Sequence, residues 1–118
     1  MPTYNRRTHL ISLYESIVNQ QFNDIQLVIT DDGSTDDTSE MISSWKKNDG
    51  ISIKHIYQEN AGRPSALKKA LMEATGEFTV IMDDDDIFVH DAFELIKSSL
   101  DDLSINKYQN REIAGICG

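Results

Sequence analysis

An apolar segment that runs directly into a row of aspartates is the feature that most constrains the fold of this chain. Residues 78–82 form a short segment typical of a buried strand, and Asp83, Asp84, Asp85 and Asp86 follow it without a spacer. Two unit charges about 5 Å apart repel by roughly 3 kcal/mol at an effective dielectric of about 20, so such a row needs a cation. The pattern therefore predicts a divalent-metal site at the end of a buried strand.

Asp83 and Asp85 are the best candidates for the metal ligands. Mg²⁺ and Mn²⁺ prefer oxygen ligands and commonly take one or two protein carboxylates, with water and phosphate in the other positions. The alternation of an extended chain would send Asp83 and Asp85 to the same side. A solvated loop or a helix cap is the alternative explanation of an acidic run. The apolar strand before the run favours a metal that carries a polyphosphate.

Composition restricts the class of protein. The chain has 118 residues, enough for one domain with one core. Its formal charge of −9 argues against nucleic acid or an anionic membrane as the main partner. Cys117 is the only cysteine, which excludes an internal disulfide and a cysteine-based metal site. No apolar run approaches the roughly 18 residues that span a bilayer, and the first residues do not resemble a signal peptide. We expect a cytoplasmic protein, membrane-peripheral if it belongs to a longer parent.

Short segments rich in β-branched residues predict the strands. Residues 25–30 are of this type, and residues 51–57 alternate Ile51, Ile53 and then His55 or Ile56, which is consistent with a strand. The strand expected at residues 77–82 leads into the aspartates, and residues 113–117 resemble the beginning of another strand. Residues 2–5 predict a short extended or turn segment. Strands therefore occur at intervals along the whole chain.

Helical patterns fill the intervals between these strands. Apolar spacing, a capping box at Ser34 and a proline suited to a first helical position predict helices that begin near residues 10, 34, 64 and 91. Gly76 is expected to end the third helix in a left-handed conformation, and residues 106–110 are expected to form a loop. The large side chains expected in the core are Trp45, Met72 and Phe93.

Alternating strands and helices predict an α/β fold with a mainly parallel sheet and flanking helices. In such sheets, ligands bind beyond the carboxyl ends of the strands. Asp31 and Asp32 follow the strand at residues 25–30, and a turn with a helix cap would also explain residues 31–35. We expect this second acidic loop to lie at the same sheet edge as residues 83–86.

Six short segments, in their order and spacing, resemble the family 2 glycosyltransferases. The resemblance implies a GT-A fold, with residues 1–118 as a single, partial domain that forms its Rossmann-like nucleotide-binding half. The segments are Pro2-Thr3-Tyr4-Asn5-Arg6, Ser16-Ile17 with Gln20, Asp31-Asp32-Gly33-Ser34-Thr35-Asp36, Asn60-Ala61-Gly62, Ala74-Thr75-Gly76-Glu77-Phe78 and Met82-Asp83-Asp84-Asp85-Asp86.

The resemblance also implies an activity. It is the metal-dependent transfer of a sugar from a nucleotide-diphosphate sugar, a UDP-sugar being favoured, to a hydroxyl of a saccharide or lipid-linked acceptor, with inversion. Mn²⁺ or Mg²⁺ would neutralise charge on the departing diphosphate.

The resemblance assigns residues to the base end of the donor. Thr3 and Tyr4 would contact the base or ribose, and the pair Asp31 and Asp32 would hydrogen-bond the base. A position at the edge of the core is the alternative for Tyr4.

At the diphosphate end, Asp83 would face the ribose or a metal-bound water, and Asp85 would bind the metal. Asp84, between them, is expected to contribute to binding of the nucleotide sugar. Arg63 is a candidate for balancing phosphate charge, with an ordinary surface position as the alternative.

Two departures from the family pattern carry further expectations. Family members usually have a full apolar strand before the Pro2-Thr3-Tyr4-Asn5 segment, where this chain has only Met1. Most of the first strand would be lacking, and exposed strand edges would favour a homodimer. The family's acceptor half, with its general base, lies beyond this point, so the catalytic base is not assigned and turnover by the isolated chain is doubtful.

Two other classes remain as alternatives. A non-catalytic nucleotide- or metal-binding α/β module would use the same acidic loops. A phosphoacceptor signalling domain would need a lone aspartate at a middle strand end and a later lysine, and it would leave residues 2–5 without a role.

Overall fold

The computed structural model describes residues 1–20, 22, 24–45, 50–107 and 116–117, with side chains as far as Leu103. It is an α/β structure, which confirms the predicted fold class. Its strands are β1 (Pro2–Thr3), β2 (Ile25–Asp31), β3 (Ile51–Tyr57), β4 (Val80–Ile81) and β5 (Ile116–Cys117), and its helices are α1 (Arg7–Val18), α2 (Thr38–Trp45), α3 (Arg63–Glu73) and α4 (Ala92–Lys107).

The main sheet has three parallel strands in the order β1-β2-β3. Thr3 of β1 is in register with Asp31 of β2, and Asp31 is in register with Tyr57 of β3. The N–H of Asp32 continues the pairing beyond β2 by donating to the Thr3 carbonyl at 2.8 Å. All three strands therefore end in one row, and the segments that follow them begin at the same edge.

The core lies between this sheet and its helices. Leu10, Leu13 and Ile17 face inward from α1, the stripe that the apolar spacing predicts, and they cluster with Ile29 of β2 and Ile42 of α2. This packing fixes the orientation of the helices that precede and follow β2.

The expected core positions of the large side chains are only partly correct. Trp45 stacks on Tyr14 with ring centroids 4.2 Å apart, and Phe93 packs against the core. Met72 is 74% exposed, so its expected burial is wrong. The buried face of α3 carries Ala66 and Ala70, and a residue two positions further on points to the opposite side of the helix.

The second helix begins later than its predicted capping box. α2 starts at Thr38, whose backbone N–H donates to the Asp36 carboxylate at 3.0 Å and whose hydroxyl contacts the same oxygen. Ser34 does not cap it, because its hydroxyl accepts the N–H of Asn5 and its own N–H donates to Asp31. The predicted cap residue therefore holds the turn before the helix.

The region after α3 also differs from expectation. α3 ends at Glu73, and its cap residue Ala74 is extended (φ −73°, ψ 128°). Gly76 is not among the glycines with positive φ, so the predicted left-handed cap is wrong. A Cβ on Gly76 would lie 3.1 Å from the Phe78 carbonyl oxygen. Because of this bend, residues 77–79 of the expected strand are not in a strand, and β4 comprises only Val80–Ile81.

β4 pairs in parallel with β5, outside the main sheet. α4 continues to Lys107, so the loop expected at residues 106–110 is wrong for its first two residues, and the other three lie outside the described residues. The first three residues of the strand expected at 113–117 also lie outside them. Among the described helices, none combines the length and apolarity needed to cross a membrane.

The buried stripe of α1 yields a stability prediction. We expect Leu13→Ala to lower the free energy of unfolding by about 2–5 kcal/mol, because Leu13 is 1% exposed and its removal leaves a cavity. The matched control is Leu95→Ala in α4, where the side chain is 64% exposed and the expected change is within about 0.5 kcal/mol. Urea denaturation measures both, and equal losses would contradict the assignment of the core.

Candidate functional site

A cleft of about 470 Å³ opens at the edge of the sheet where the strands end. It is lined by the end of β1 with Tyr4 and Arg6, by Asp32 after β2, by residues of the turn that leads into α3, and by the acidic residues after β4. The predicted site residues that the structure brings together here are Thr3, Tyr4, Asp32, Arg63, Asp83, Asp84 and Asp85.

Asp32 is the buried anion of this cleft, with 5% exposure. Its Oδ1 accepts hydrogen bonds from Gln58 Nε2 at 2.7 Å and from the N–H of Ala61 at 2.8 Å, and its Oδ2 accepts the N–H of Gly62 at 3.0 Å. The hydrogen bond from Gln58 is the main cause of a lowered Asp32 pKa; burial opposes it, and the two backbone N–H groups and the charge of Lys69 add to it. Asp32 is therefore held as a carboxylate.

Asp31 does not reach the cleft. It is fully buried, its Oδ1 accepts the N–H of Ser34 at 2.8 Å, and its Oδ2 accepts the Ser39 hydroxyl at 2.6 Å. Successive side chains of a strand point to opposite faces, so the two neighbouring aspartates at the end of β2 separate. Asp31 ties β2 to α2, and of the two aspartates only Asp32 lines the cleft.

Gly33 lets the two turns at this edge touch. Its φ is +83°, and a Cβ there would lie 2.8 Å from the backbone nitrogen of Asn60. Any other side chain would force the turn after β2 away from the turn after β3. The contact supports the backbone that donates to Asp32.

Asn5 holds the end of β1 against the same turn. Its Oδ1 accepts the N–H of Thr35 at 2.8 Å, and its own N–H donates to the Ser34 hydroxyl at 2.9 Å. Its φ of 50° is one that asparagine adopts more readily than most residues. The preceding Tyr4 is thereby fixed at the cleft with its side chain 46% exposed.

The acidic run forms a closed turn. The N–H of Asp86 donates to the Asp83 carbonyl at 3.2 Å, and the Asp86 carboxylate accepts the N–H of Asp83 at 2.8 Å. The expected extended alternation of Asp83 and Asp85 is therefore wrong, because Asp86 closes the chain on itself. Both residues still line the cleft.

Two contacts, and one carboxylate without a partner among the described residues, define the chemistry of this turn, which comprises residues 83–86. Arg63 forms an exposed ion pair with Asp83, and the Thr3 hydroxyl donates to Asp84 Oδ2 at 2.8 Å. The Asp85 side chain has no hydrogen-bond or ion-pair partner among the described residues. Asp85 is thus the carboxylate that can take a new ligand without losing an old one.

Gln20 and Ser16 of the α1 region anchor the segment that follows the turn. The Ser16 hydroxyl accepts the N–H of Phe88 at 3.1 Å, Gln20 Nε2 donates to the Val89 carbonyl at 2.9 Å, and Gln20 Oε1 accepts the N–H of Phe93 at 3.2 Å. The sequence identifies both residues as parts of the resemblance but gives them no role. Gln58 is missed altogether at that level, although a polar residue directly after a strand at the binding edge is the available signal.

The residues present fit a metal that is shared with a ligand. No group of three or more His, Cys, Asp or Glu side chains converges on a metal position within the described part of the chain. A nucleotide-bound Mg²⁺ or Mn²⁺ needs only one or two protein carboxylates, because phosphate and water complete its shell. Asp85, with Asp83 beside it, can supply those oxygens.

A parallel sheet with a polar cleft beyond its strand ends is the arrangement typical of nucleotide-binding α/β proteins. The sequence profile of the family described as Glycosyl transferase family 2 matches residues 1–108. The chain belongs to this family, as the resemblance implied.

Two curated relatives illustrate the match. The chain is 34% identical over 95 residues to an uncharacterized glycosyltransferase of Rickettsia bellii. The matched region covers 80% of this chain and 14% of that protein. It is 36% identical over 88 residues to the GalNAc(5)-diNAcBac-PP-undecaprenol beta-1,3-glucosyltransferase of Campylobacter jejuni, covering 73% of this chain and 28% of that protein. The chain therefore spans much less than half the length of these relatives.

A solved structure shares the fold. S. aureus TarS superposes with a TM-score of 0.75 at 27% identity, over 86% of this chain and 18% of that one. TarS 1-349 in complex with UDP-GlcNAc superposes with a TM-score of 0.70 at 27% identity, over 88% of this chain and 30% of that one. The fold is thus shared with part of a protein that has been solved with a bound nucleotide sugar.

The lowered Asp32 pKa predicts an acid-sensitive contribution to stability. The unfolded chain protonates this carboxyl near its ordinary value of about 4, whereas the folded chain does so only at lower pH. The contribution is complete above about pH 4 and is lost as the pH falls below that value. We expect Asp32→Asn, which binds no proton, to show a shallower loss of stability below about pH 4 than the wild type.

Urea denaturation across an acid pH series measures the difference. The control is Asp37→Asn, which removes an exposed carboxylate that pairs with Arg7 and which should keep the steep wild-type profile. Parallel acid profiles for the wild type and Asp32→Asn would contradict the stabilised carboxylate.

Proposed function

We propose that this chain forms the donor-binding part of a metal-dependent, inverting glycosyltransferase that uses a UDP-sugar. The observation that carries the proposal is one cleft in which the ionised Asp32, the exposed ring of Tyr4, the cation of Arg63 and the acidic turn lie together. Family membership and the UDP-GlcNAc complex of TarS support it.

In this proposal, the base of the nucleotide binds at the Asp32 end of the cleft. Oδ1 of Asp32 accepts two hydrogen bonds and Oδ2 accepts one, so Oδ2 keeps a site for one more donor. The imide N–H of uracil is such a donor. Tyr4 offers an aromatic face on which a base can stack, an interaction worth about 1–3 kcal/mol where it has been measured in other proteins.

The diphosphate belongs at the other end, between Arg63 and the acidic turn. Arg63 is the first residue of α3, so its guanidinium and the positive end of the helix dipole act on the same region. Asp85, with Asp83 beside it, would hold Mn²⁺ or Mg²⁺, which would neutralise the charge that builds on the departing nucleoside diphosphate. Arg63 would then exchange its contact with Asp83 for one with phosphate.

The proposed reaction is a single displacement. The acceptor oxygen forms a bond to the anomeric carbon as the bond from that carbon to the diphosphate oxygen breaks on the opposite face, which inverts the configuration. The residues of this cleft bind and orient the leaving group, and no residue of this chain is assigned to the acceptor proton. A saccharide or lipid-linked acceptor is proposed because the name of the Campylobacter relative includes a PP-undecaprenol-linked saccharide.

Calorimetric titration of UDP-GlcNAc with and without Mn²⁺ tests the proposal. We expect Mn²⁺ to tighten binding by on the order of tenfold in the wild type, because an ion held by Asp85, with Asp83 beside it, would neutralise charge on the diphosphate. Asp85→Ala should lose this gain and keep the metal-free affinity. The matched control is Glu77→Ala, which removes an exposed carboxylate outside the cleft and should behave as the wild type.

An equal gain from Mn²⁺ in Asp85→Ala would remove Asp85 from the metal site. Titrations with GDP- and dTDP-sugars in parallel identify the base. Donor hydrolysis and sugar transfer, measured on the same samples, separate an enzyme from a non-catalytic nucleotide-binding module, which would bind without either reaction.

A further inference from the structure

We propose that Gln58 is a positioning residue for the donor: its amide fixes the rotation of the Asp32 carboxylate so that Oδ2 faces the bound nucleotide. The inference rests on the proposed function, in which Oδ2 of Asp32 accepts an N–H of the base. It assigns a role to a residue that lies outside the cleft and acts through another side chain.

The backbone of Gln58 is fixed before its side chain acts. It follows β3 directly, and its N–H donates to the Asp31 carbonyl at 3.0 Å, which extends the β2–β3 pairing by one residue. The residue is only 5% exposed, and its side chain donates to Asp32 Oδ1 at 2.7 Å. The pairing of β2 with β3 therefore holds the Gln58 amide at a fixed position relative to the Asp32 carboxylate.

The two donors on Oδ1 of Asp32 determine which oxygen of this carboxylate can accept a hydrogen bond from the ligand. With Gln58 Nε2 and the Ala61 N–H both on Oδ1, that oxygen has used its two acceptor positions. Oδ2 has only the Gly62 N–H. Without the Gln58 amide, the carboxylate would keep only the two donors of the turn and could rotate between them.

The carbonyl group of the Gln58 side chain indicates that the amide is retained for its N–H donor. Gln58 Oε1 is buried and accepts no hydrogen bond from the described residues. A buried carbonyl without a partner is unfavourable, and turning the amide over would place this oxygen against the Asp32 carboxylate. The fold tolerates the unpaired acceptor in return for a charge-assisted hydrogen bond to Asp32. A residue that served only to fill space would not need an amide here.

Other charged side chains lie near Asp32, and they must be left unchanged in every variant that is compared. Lys69 of α3 acts on Asp32 through its charge. The charged side chains that line the cleft are Arg6, Arg63, Asp83, Asp84 and Asp85. A control variant with an equal change of charge elsewhere removes their contribution from the comparison.

Gln58→Glu tests the donor directly, because it replaces the amide by a carboxyl group of the same shape. At about pH 8 two carboxylates would face each other, and we expect UDP-GlcNAc to bind roughly tenfold more weakly than to the wild type. At about pH 5.5 the introduced, buried carboxyl group is protonated and donates to Asp32, so affinity should recover towards the wild-type value. Both phosphates of UDP-GlcNAc are esterified, so the probe does not change its charge between these pH values.

The matched control is Gln26→Glu. Gln26 lies in β2, and its amide bridges the Glu73 carbonyl at 3.4 Å and the Thr75 N–H at 2.8 Å, away from the cleft. We expect its affinity profile to follow that of the wild type at both pH values. A Gln58→Glu profile that matches the control, or that stays weak at the lower pH in a folded protein, would overturn the role of Gln58.

A second variant tests the contact without any nucleotide. Gln58→Met keeps the length of the side chain and has no N–H donor, so the pKa of Asp32, followed by carboxyl-carbon NMR in the free protein, should move up towards its ordinary value. An unchanged Asp32 titration would overturn the proposal even if the Gln58→Glu protein failed to fold. If the titration moves but wild-type protein binds no UDP-GlcNAc, the proposed function fails at the level of the donor, and the Gln58–Asp32 contact stands.

Discussion

The parallel pairing of β2 between β1 and β3 is the constraint on which the rest of the structure depends. It places Thr3, Asp31 and Tyr57 in one row, so the next residues of three distant parts of the chain emerge at one edge. The turn after β2 and the turn after β3 then meet at Gly33. The cleft is a consequence of strand register, and the acidic turn closes its far side through Thr3.

Two adjacent carboxylates at the end of β2 show how such an edge is stabilised. Removing an ionised group from water costs several kcal/mol unless hydrogen bonds replace the lost solvation. Asp31 meets this requirement through Ser34 and Ser39, and Asp32 through a side-chain amide and two backbone N–H groups. The first holds a helix to the sheet, and the second remains at the surface of the cleft. Asp31 and Asp32 therefore have different roles, because successive side chains of a strand point to opposite faces.

The sequence predicted the elements that depend on regular local patterns and missed the features that depend on specific side-chain contacts. A short run rich in β-branched residues predicted β2, alternation predicted β3, and a period of 3.6 predicted the inward stripe of α1; all three are confirmed. The different roles of Asp31 and Asp32 depend on their partners in other elements, such as Ser39 and Gln58. The closed acidic turn depends on the Asp86 carboxylate, which accepts the N–H of Asp83. The position of Gln58 directly after β3 is a local signal of a place at the binding edge, but its role is not visible in the sequence, because its partner Asp32 follows a different strand, β2.

We propose that Asp32 and the acidic turn face one bound nucleotide and its metal. Paramagnetic broadening of amide signals by Mn²⁺, recorded on ¹⁵N-labelled protein with UDP-GlcNAc present, tests it most directly. We expect the signals of the acidic turn and of Gly62 to broaden together, while the signal of Gly50, at the opposite end of β3, stays sharp. Broadening of the acidic turn with a sharp Gly62 signal, or broadening at Gly50, would contradict it.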